Sequence, residues 1–291
     1  MSELAVIDNN NYAAMAQMMG MAYDAGDTKN KSTLARIKVQ KKAIKGKAEV
    51  NGKSVTVDVV TAGSFMIEKD GKDVYAESIN MRIHVQRFMY QKYDNAVNNY
   101  IKTVMSPDLE VDLKDNYGTF NCGKPSGYIQ DFGSLPDAMQ ELIRSIKRTR
   151  VILGTVTFVD ATDEKGNTVE VVDMPFVWEV DNKEGFKNFA AATAKLAQHR
   201  RLSVYHNINV TTAEREAVGN TYYVPICEVD LDNTFEVLEK DQALFKDFMA
   251  WIESHNRWVL SEWDQKQIQK ATDEEKELAE SFVDIDVEEV E

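Results

Sequence analysis

The string Gly118-Thr-Phe-Asn-Cys-Gly123-Lys124-Pro125 is the nearest this chain comes to a catalytic motif. It follows the phosphate-loop spacing G-x-x-x-x-G-K up to the last place, where a Ser or Thr hydroxyl must hold magnesium. Pro125 offers neither a hydroxyl nor an N–H, and the preceding residues 112–117 are polar where a buried strand is required. Four histidines, His84, His199, His206 and His255, have no spacing that would set two of them on one helix face as metal ligands. Asp108, Glu110 and Asp112 alternate, so as a strand they would share one face, and a solvated edge accounts for them as well as a metal does. Two cysteines, Cys122 and Cys227, are too few for a disulfide framework or a cysteine zinc site. Neither G-x-S-x-G nor H-E-x-x-H occurs. The expectation is a protein that is not an enzyme, with no cofactor and no metal.

The binding signals are more specific. Between 81 and 92, Met81, Ile83, Val85 and Met89 alternate with Arg82, His84, Gln86, Phe88, Tyr90 and Lys92. A period of two marks a strand, with the first set turned to a core and the second turned out. A face mixing cations with two rings suits single-stranded DNA, because bases stack on the rings while phosphates meet the cations. The competing reading is an amphipathic strand whose aromatics lie under a helix. Arg36 and Lys38 alternate in the same way with Ile37 and Val39, and Lys41 and Lys42 follow them. Arg148 and Arg150, with Arg144 and Lys147, form a second basic cluster, and Arg200 and Arg201, with Lys195, a third. Any one cluster alone reads equally as solvated surface; together they could follow a phosphate backbone. The candidate DNA contacts are therefore Arg36, Lys38, Lys41, Lys42, Arg82, Phe88, Tyr90, Lys92, Arg148, Arg150, Arg200 and Arg201.

Charge is distributed unevenly. The 291-residue chain carries 34 basic and 48 acidic residues, a net of −14. Residues 272–291 hold ten of the acids and one lysine, so without them the balance is 33 against 38, or −5. Residues 29–47 hold eight lysines and arginines and no acid. A polyanionic tail opposite basic clusters can mimic DNA and compete for its site. Phe282, Asp284 and Asp286 in that tail are candidate hooks for replication or recombination proteins.

The elements that must position these residues follow from periodicity. Residues 1–31 read as an N-terminal arm with a Met-rich helix suited to self-association. A β-rich binding domain occupies 32–264 and a flexible acidic tail 265–291. Strands are expected over 33–105 with an Asn51-Gly52 turn, then an irregular excursion over 106–133. A helix from Ser134 should present Met139, Leu142, Ile143 and Ile146 and end in the basic turn 144–150. A hairpin over 150–180, a helix over 183–199, strands over 203–211 and 221–230, and an amphipathic helix over 240–264 complete the set. Strand-rich α+β architecture in one domain follows, and seven or more strands suggest a small, elaborated barrel. No apolar run is long enough to cross a bilayer, and the first eight residues lack a basic start. A reducing cytoplasm, and no membrane partner, is expected.

The basic run 29–47, the strand from Arg82 to Tyr93 and the acidic residues 272–291 together resemble phage single-stranded DNA-binding proteins. Such proteins join a basic, aromatic-bearing barrel of the oligonucleotide-binding type to a mobile acidic tail. The resemblance implies non-specific coating of unwound strands in phage replication or recombination, in the host cytoplasm, with the tail recruiting partners. Family members often end on an aromatic residue, whereas here Phe282 stands nine residues from the end. The alternative is an assembly component that docks partner proteins and ignores nucleic acid. A metal-dependent nuclease is a third class.

Overall fold

Two long strands with apolar residues on both faces set the architecture. Val151, Ile152, Leu153, Val156 and Phe158 are all buried along one of them, β9 (Lys147–Val159). A strand buried on both sides must sit between two layers. The computed structural model describes residues 34–283 apart from 51, 52, 97 and 218, so the N-terminal arm (1–31) and residues 284–291 lie outside the described residues.

β9 pairs antiparallel with β7 (Ser78–Asp94) at the centre of a seven-stranded sheet. β11 (Met174–Val180) and β1 (Ala35–Arg36) follow on one side. On the other side are β12 (Ile208–Ala217) and β13 (Asn220–Val229), and β8 (Asn99–Lys102) pairs with the far end of β7. A four-stranded sheet holds β2 (Lys38–Val39), β5 (Phe65–Lys69), β6 (Lys72–Ala76) and β10 (Thr162–Asp163). β3 (Ile44–Val50) and β4 (Lys53–Val60) form a separate hairpin on which Lys45, Lys47, Val55 and Val57 are exposed. The α+β, strand-rich class is as expected. The sheets do not close into a barrel: the main sheet is open, with β1 and β13 at its ends. The two-sided burial of β7 and β9 is met by a layer on each face of this open sheet.

Those layers are a helix on one face and a helix plus the smaller sheet on the other. Helix α1 (Asp137–Ser145) stands apart and has no buried residue. Helix α2 (Lys183–Gln198) packs Phe189, Ala192 and Leu196 into a core shared with Ile152, Phe176 and Trp178 and with Phe65 and Ile67 of the smaller sheet. Trp178 meets Phe65 and Phe189 edge-on, at centroid distances of 5.7 and 5.4 Å. Helix α3 (Glu239–Val283) covers the opposite face with Phe248 and Ile252 against Val85, Met89, Val151 and Leu153. Fully burying a side chain such as Phe248 contributes about 1.5–3 kcal/mol.

A bulge decides which face each residue of β7 serves. Ile83 lies opposite Gly154 and Val85 opposite Leu153, so His84 is the extra residue. Met81 and Ile83 therefore join the core under α2, whereas Val85 and Met89 join the core under α3. The expectation of a single core face along 81–92 is corrected accordingly. The bulge also aims Arg82 and His84 at the start of α3. Asp241, fully buried, accepts from Arg82 Nη2 (3.0 Å), His84 Nε2 (3.3 Å) and the backbone N–H of Leu238 (2.9 Å).

Three further boundaries differ from expectation. The strand expected over 203–211 begins at Ile208 and runs to Ala217, after a 3-10 turn at Ser203–Tyr205. The basic run after α1 is not a helix end: α1 stops at Ser145 and Lys147 already begins β9. The last helix does not end near 264 but continues to Val283, so the flexible tail expected over 265–291 is helical over its first part.

Candidate nucleic-acid interface

Past the bulge, the face of β7 that looks toward α2 carries Gln86, Phe88 and Tyr90. Their partners across β9 are Ile152, Arg150 and Arg148. Alternation on two neighbouring strands thus sets two rings directly opposite two guanidiniums, the distance at which cross-strand pairs interact. Arg150 Cζ stands 4.9 Å from the Phe88 ring centroid.

The start of α2 completes the group. Asn182 caps the helix, its Oδ1 accepting from the N–H groups of Glu184 (2.9 Å) and Gly185 (3.0 Å). Gly185 lets that first turn close on β13, where a Cβ would stand 2.9 Å from the Pro225 ring. Phe186 then lies 5.8 Å from Phe88, with Arg150 and Arg148 at 4.8 and 5.6 Å from its centroid. Cations over ring faces at these distances are attractive, more so where water is excluded.

Beside this stack is a cavity of about 420 Å³ lined by Tyr90, Phe186, Arg148 and Lys147, together with Lys124, Arg144 and Lys183. Its one acidic lining residue, Asp181, accepts from Lys147 Nζ at 2.5 Å. Lys124 Nζ is 5.7 Å from the Tyr90 ring. A second cavity, of about 320 Å³, shares Asp181 and includes Lys38, Lys41, Tyr222 and Tyr223. The second hollow also holds Glu179, so its two lysines face two carboxylates. It is the first hollow, with its excess of cations beside rings, that suits an anionic ligand.

Arg150 differs from the other cations. It is 5 % exposed; Nη1 donates to Gln86 Oε1 at 2.5 Å, Nε has no partner, and among the described residues no carboxylate pairs with it. Burial lowers its pKa to about 10, which still leaves it charged at neutral pH. Burying a cation without a counter-charge costs stability.

The structure brings Phe88, Tyr90, Arg148 and Arg150 together and places Lys38 and Lys41 at the adjoining hollow. It does not do so for the rest. Arg82 is 4 % exposed, bound to Asp241 under α3 with Phe235 at 5.2 Å, so the expectation that it meets phosphates is corrected. Tyr90 is only 5 % exposed, and Phe88 is half-buried under α2, so the aromatics are a partly covered wall rather than an open platform. Arg36, opposite Val177, lies on the α3 side of the sheet and pairs with Glu179 at 2.6 Å. Lys92 is half-buried beyond Tyr90, and Lys42 is exposed on the bend after β2. Arg200 and Arg201 follow the C-terminus of α2, about 24 Å of helix from Phe186's end, and Arg201 donates to the Leu231 carbonyl. Asp284 and Asp286 lie outside the described residues, as does the side chain of Phe282.

Phe186, Lys124 and Lys183 are the site residues that sequence reasoning missed. The one local signal for Phe186 was Asn182 as a helix cap, which sets the ring in the first turn. Asp112 accepts from Ser126 Oγ (2.5 Å) and Asn121 Nδ2 (2.6 Å), in an irregular segment rather than a strand. Burial pushes the Cys227 thiol up to about 12 and that of Cys122 higher still. Among the described residues no three acidic, His or Cys side chains gather as metal ligands, and no helix is long and apolar enough to cross a membrane. No protein-family model, no curated protein and no solved structure matches the chain.

Proposed function

We propose that the chain binds single-stranded DNA without sequence preference and without catalysis, in phage replication or recombination. The observation that carries this reading is the register of β7 on β9, with Phe88 opposite Arg150 and Tyr90 opposite Arg148 beside a cavity rimmed by lysines and arginines. Rings paired with cations can hold bases and phosphates of any sequence, since every base has a π-face. The acidic C-terminal residues act in this reading as a DNA mimic and a hook for partner proteins.

The test is fluorescence anisotropy of a labelled single-stranded oligonucleotide across a salt series. If about four phosphates are met, log K should fall with log salt at a slope of roughly −2.8. The double variant Lys147→Glu/Lys183→Glu should bind more weakly and with a flatter slope. An affinity that ignores salt, or none at low salt, contradicts the reading. An assembly role is favoured by a different observation, the exposed Trp258, Leu260 and Ile268 on α3. That role predicts self-association or partner complexes and no salt-sensitive DNA binding.

A further inference from the structure

We infer that the cavity between α1, β9 and α2 seats a nucleotide carrying a terminal phosphate, at the end of a DNA strand, rather than an internal nucleotide. This rests on the single-stranded DNA reading and sharpens it. The first ground is shape. At about 420 Å³ the hollow is at the small end of the roughly 300–1,000 Å³ usual for small-molecule sites. It has room for about one nucleotide within its walls.

The second ground is charge. Lys124, Arg144, Lys147, Arg148 and Lys183 line it against one carboxylate, Asp181, so five positive charges face one negative and four are left over. An internal phosphodiester carries a single negative charge, whereas a phosphomonoester carries about 1.5 to 2 at pH 7. In a space that admits one phosphate, the more highly charged group matches the excess better.

The third ground is Arg150, buried behind Phe186, with its Nε unpartnered and no carboxylate paired to it among the described residues. A fixed cation kept from water raises the positive potential of the adjoining wall, because low-dielectric surroundings screen it poorly. Phe186, half-buried at the rim, supplies a ring face for the base of the same nucleotide, and Tyr90, 5 % exposed, forms the floor beneath it.

The experiment is competition anisotropy with the full chain. The same short single-stranded oligonucleotide is compared in three forms, with a 5′-phosphate, with a 3′-phosphate and with neither, alongside the free nucleoside monophosphate. A terminal phosphate at one end should tighten binding about tenfold at pH 7.5. That advantage should shrink as pH falls below about 6, where the phosphate takes up its second proton. Lys147→Gln, at an exposed position, should reduce the preference for the phosphorylated form. Equal affinity for the three oligonucleotides overturns the inference and leaves the DNA-binding reading standing. Free monophosphate binding as tightly as the phosphorylated oligonucleotide overturns the strand-end assignment. No binding by any form overturns both.

Discussion

Phe186 and Arg150 separate a binding role from a structural one most sharply. Phe186 is half-buried in the first turn of α2 and caps both guanidiniums. A base–aromatic stack contributes about 1–3 kcal/mol, so Phe186→Ala should weaken single-stranded DNA binding roughly 5- to 150-fold. Its thermal unfolding should change much less than that of a core variant such as Phe248→Ala, expected to lose about 3–5 kcal/mol. Arg150→Met removes a buried, uncompensated charge and keeps most of the volume. Replacements of this kind are neutral or stabilising, so the melting temperature should hold or rise while DNA affinity falls. A large drop in melting temperature would mean that Arg150 is there to hold the fold. Phe88 and Tyr90 were legible in the sequence because alternation marks them locally, whereas Arg148 and Arg150 were read only as a basic cluster closing a helix and lie instead on β9. Arg82 was misplaced because the carboxylate that buries it, Asp241, is 159 residues away. Phe186 was invisible for a similar reason: its neighbours come from β7 and β9.

At the scale of elements, the bulge at His84 has consequences for both sterics and pH. Gly154 faces it across the ladder, and a Cβ there would stand 2.0 Å from the Arg82 carbonyl oxygen. Backbone cannot retreat as a flexible side chain can, so Gly154→Ala should destabilise by several times the ~1 kcal/mol typical of point variants, read by denaturant unfolding. His84 has its pKa lowered, first by burial and also by the Arg82 charge, against the opposing bond to Asp241. Asp241 has its pKa lowered by the Leu238 N–H, His84 and Arg82, which together outweigh burial. Both groups bind protons more weakly folded than unfolded, so their stabilisation is full above the unfolded pKa and lost as pH falls through the folded one. Stability should therefore decline on acidification below about 6.5 through His84 and again below about 4 through Asp241. His84→Gln should shrink the first step, leaving the share of His255, whose pKa burial also lowers. It should also move the second by removing one of the groups that lower Asp241. The pattern of two identified β7 as a strand but carries no mark of an inserted residue, which is why its faces were misassigned. The extension of α3 beyond 264 was missed because its acids were weighed as charge. Glu, Lys, Gln and Ala, which dominate 265–280, are also strong helix formers.

For the whole molecule, charge asymmetry is the main lever. Residues 284–291 carry five of the 48 acids and follow the end of α3, so a chain ending at Val283 keeps every described element. If the acidic end competes with DNA, that truncation should tighten binding roughly three- to tenfold at low salt. The gain should vanish at about 1 M, where the screening length falls to about 3 Å. Strand content and the α+β class were legible because runs such as Val151–Val159 have few other uses. Closure was not: whether seven strands curl into a barrel or stay open depends on what covers each face. The covering helices are amphipathic in sequence but do not state which sheet face they choose.

The central claim is that DNA lies against Phe186 and Arg148, the accessible members of the wall backed by Phe88, Tyr90 and Arg150. Photo-crosslinking a halogenated single-stranded oligonucleotide to the full chain, with the attached peptides identified by mass spectrometry, tests it most directly. The account predicts crosslinks on Phe186 or on the exposed residues beside it, lost when the cavity's lysines are reversed in charge. Crosslinks confined to the β3–β4 hairpin, to the residues after α2 or to the exposed face of α3 would contradict it.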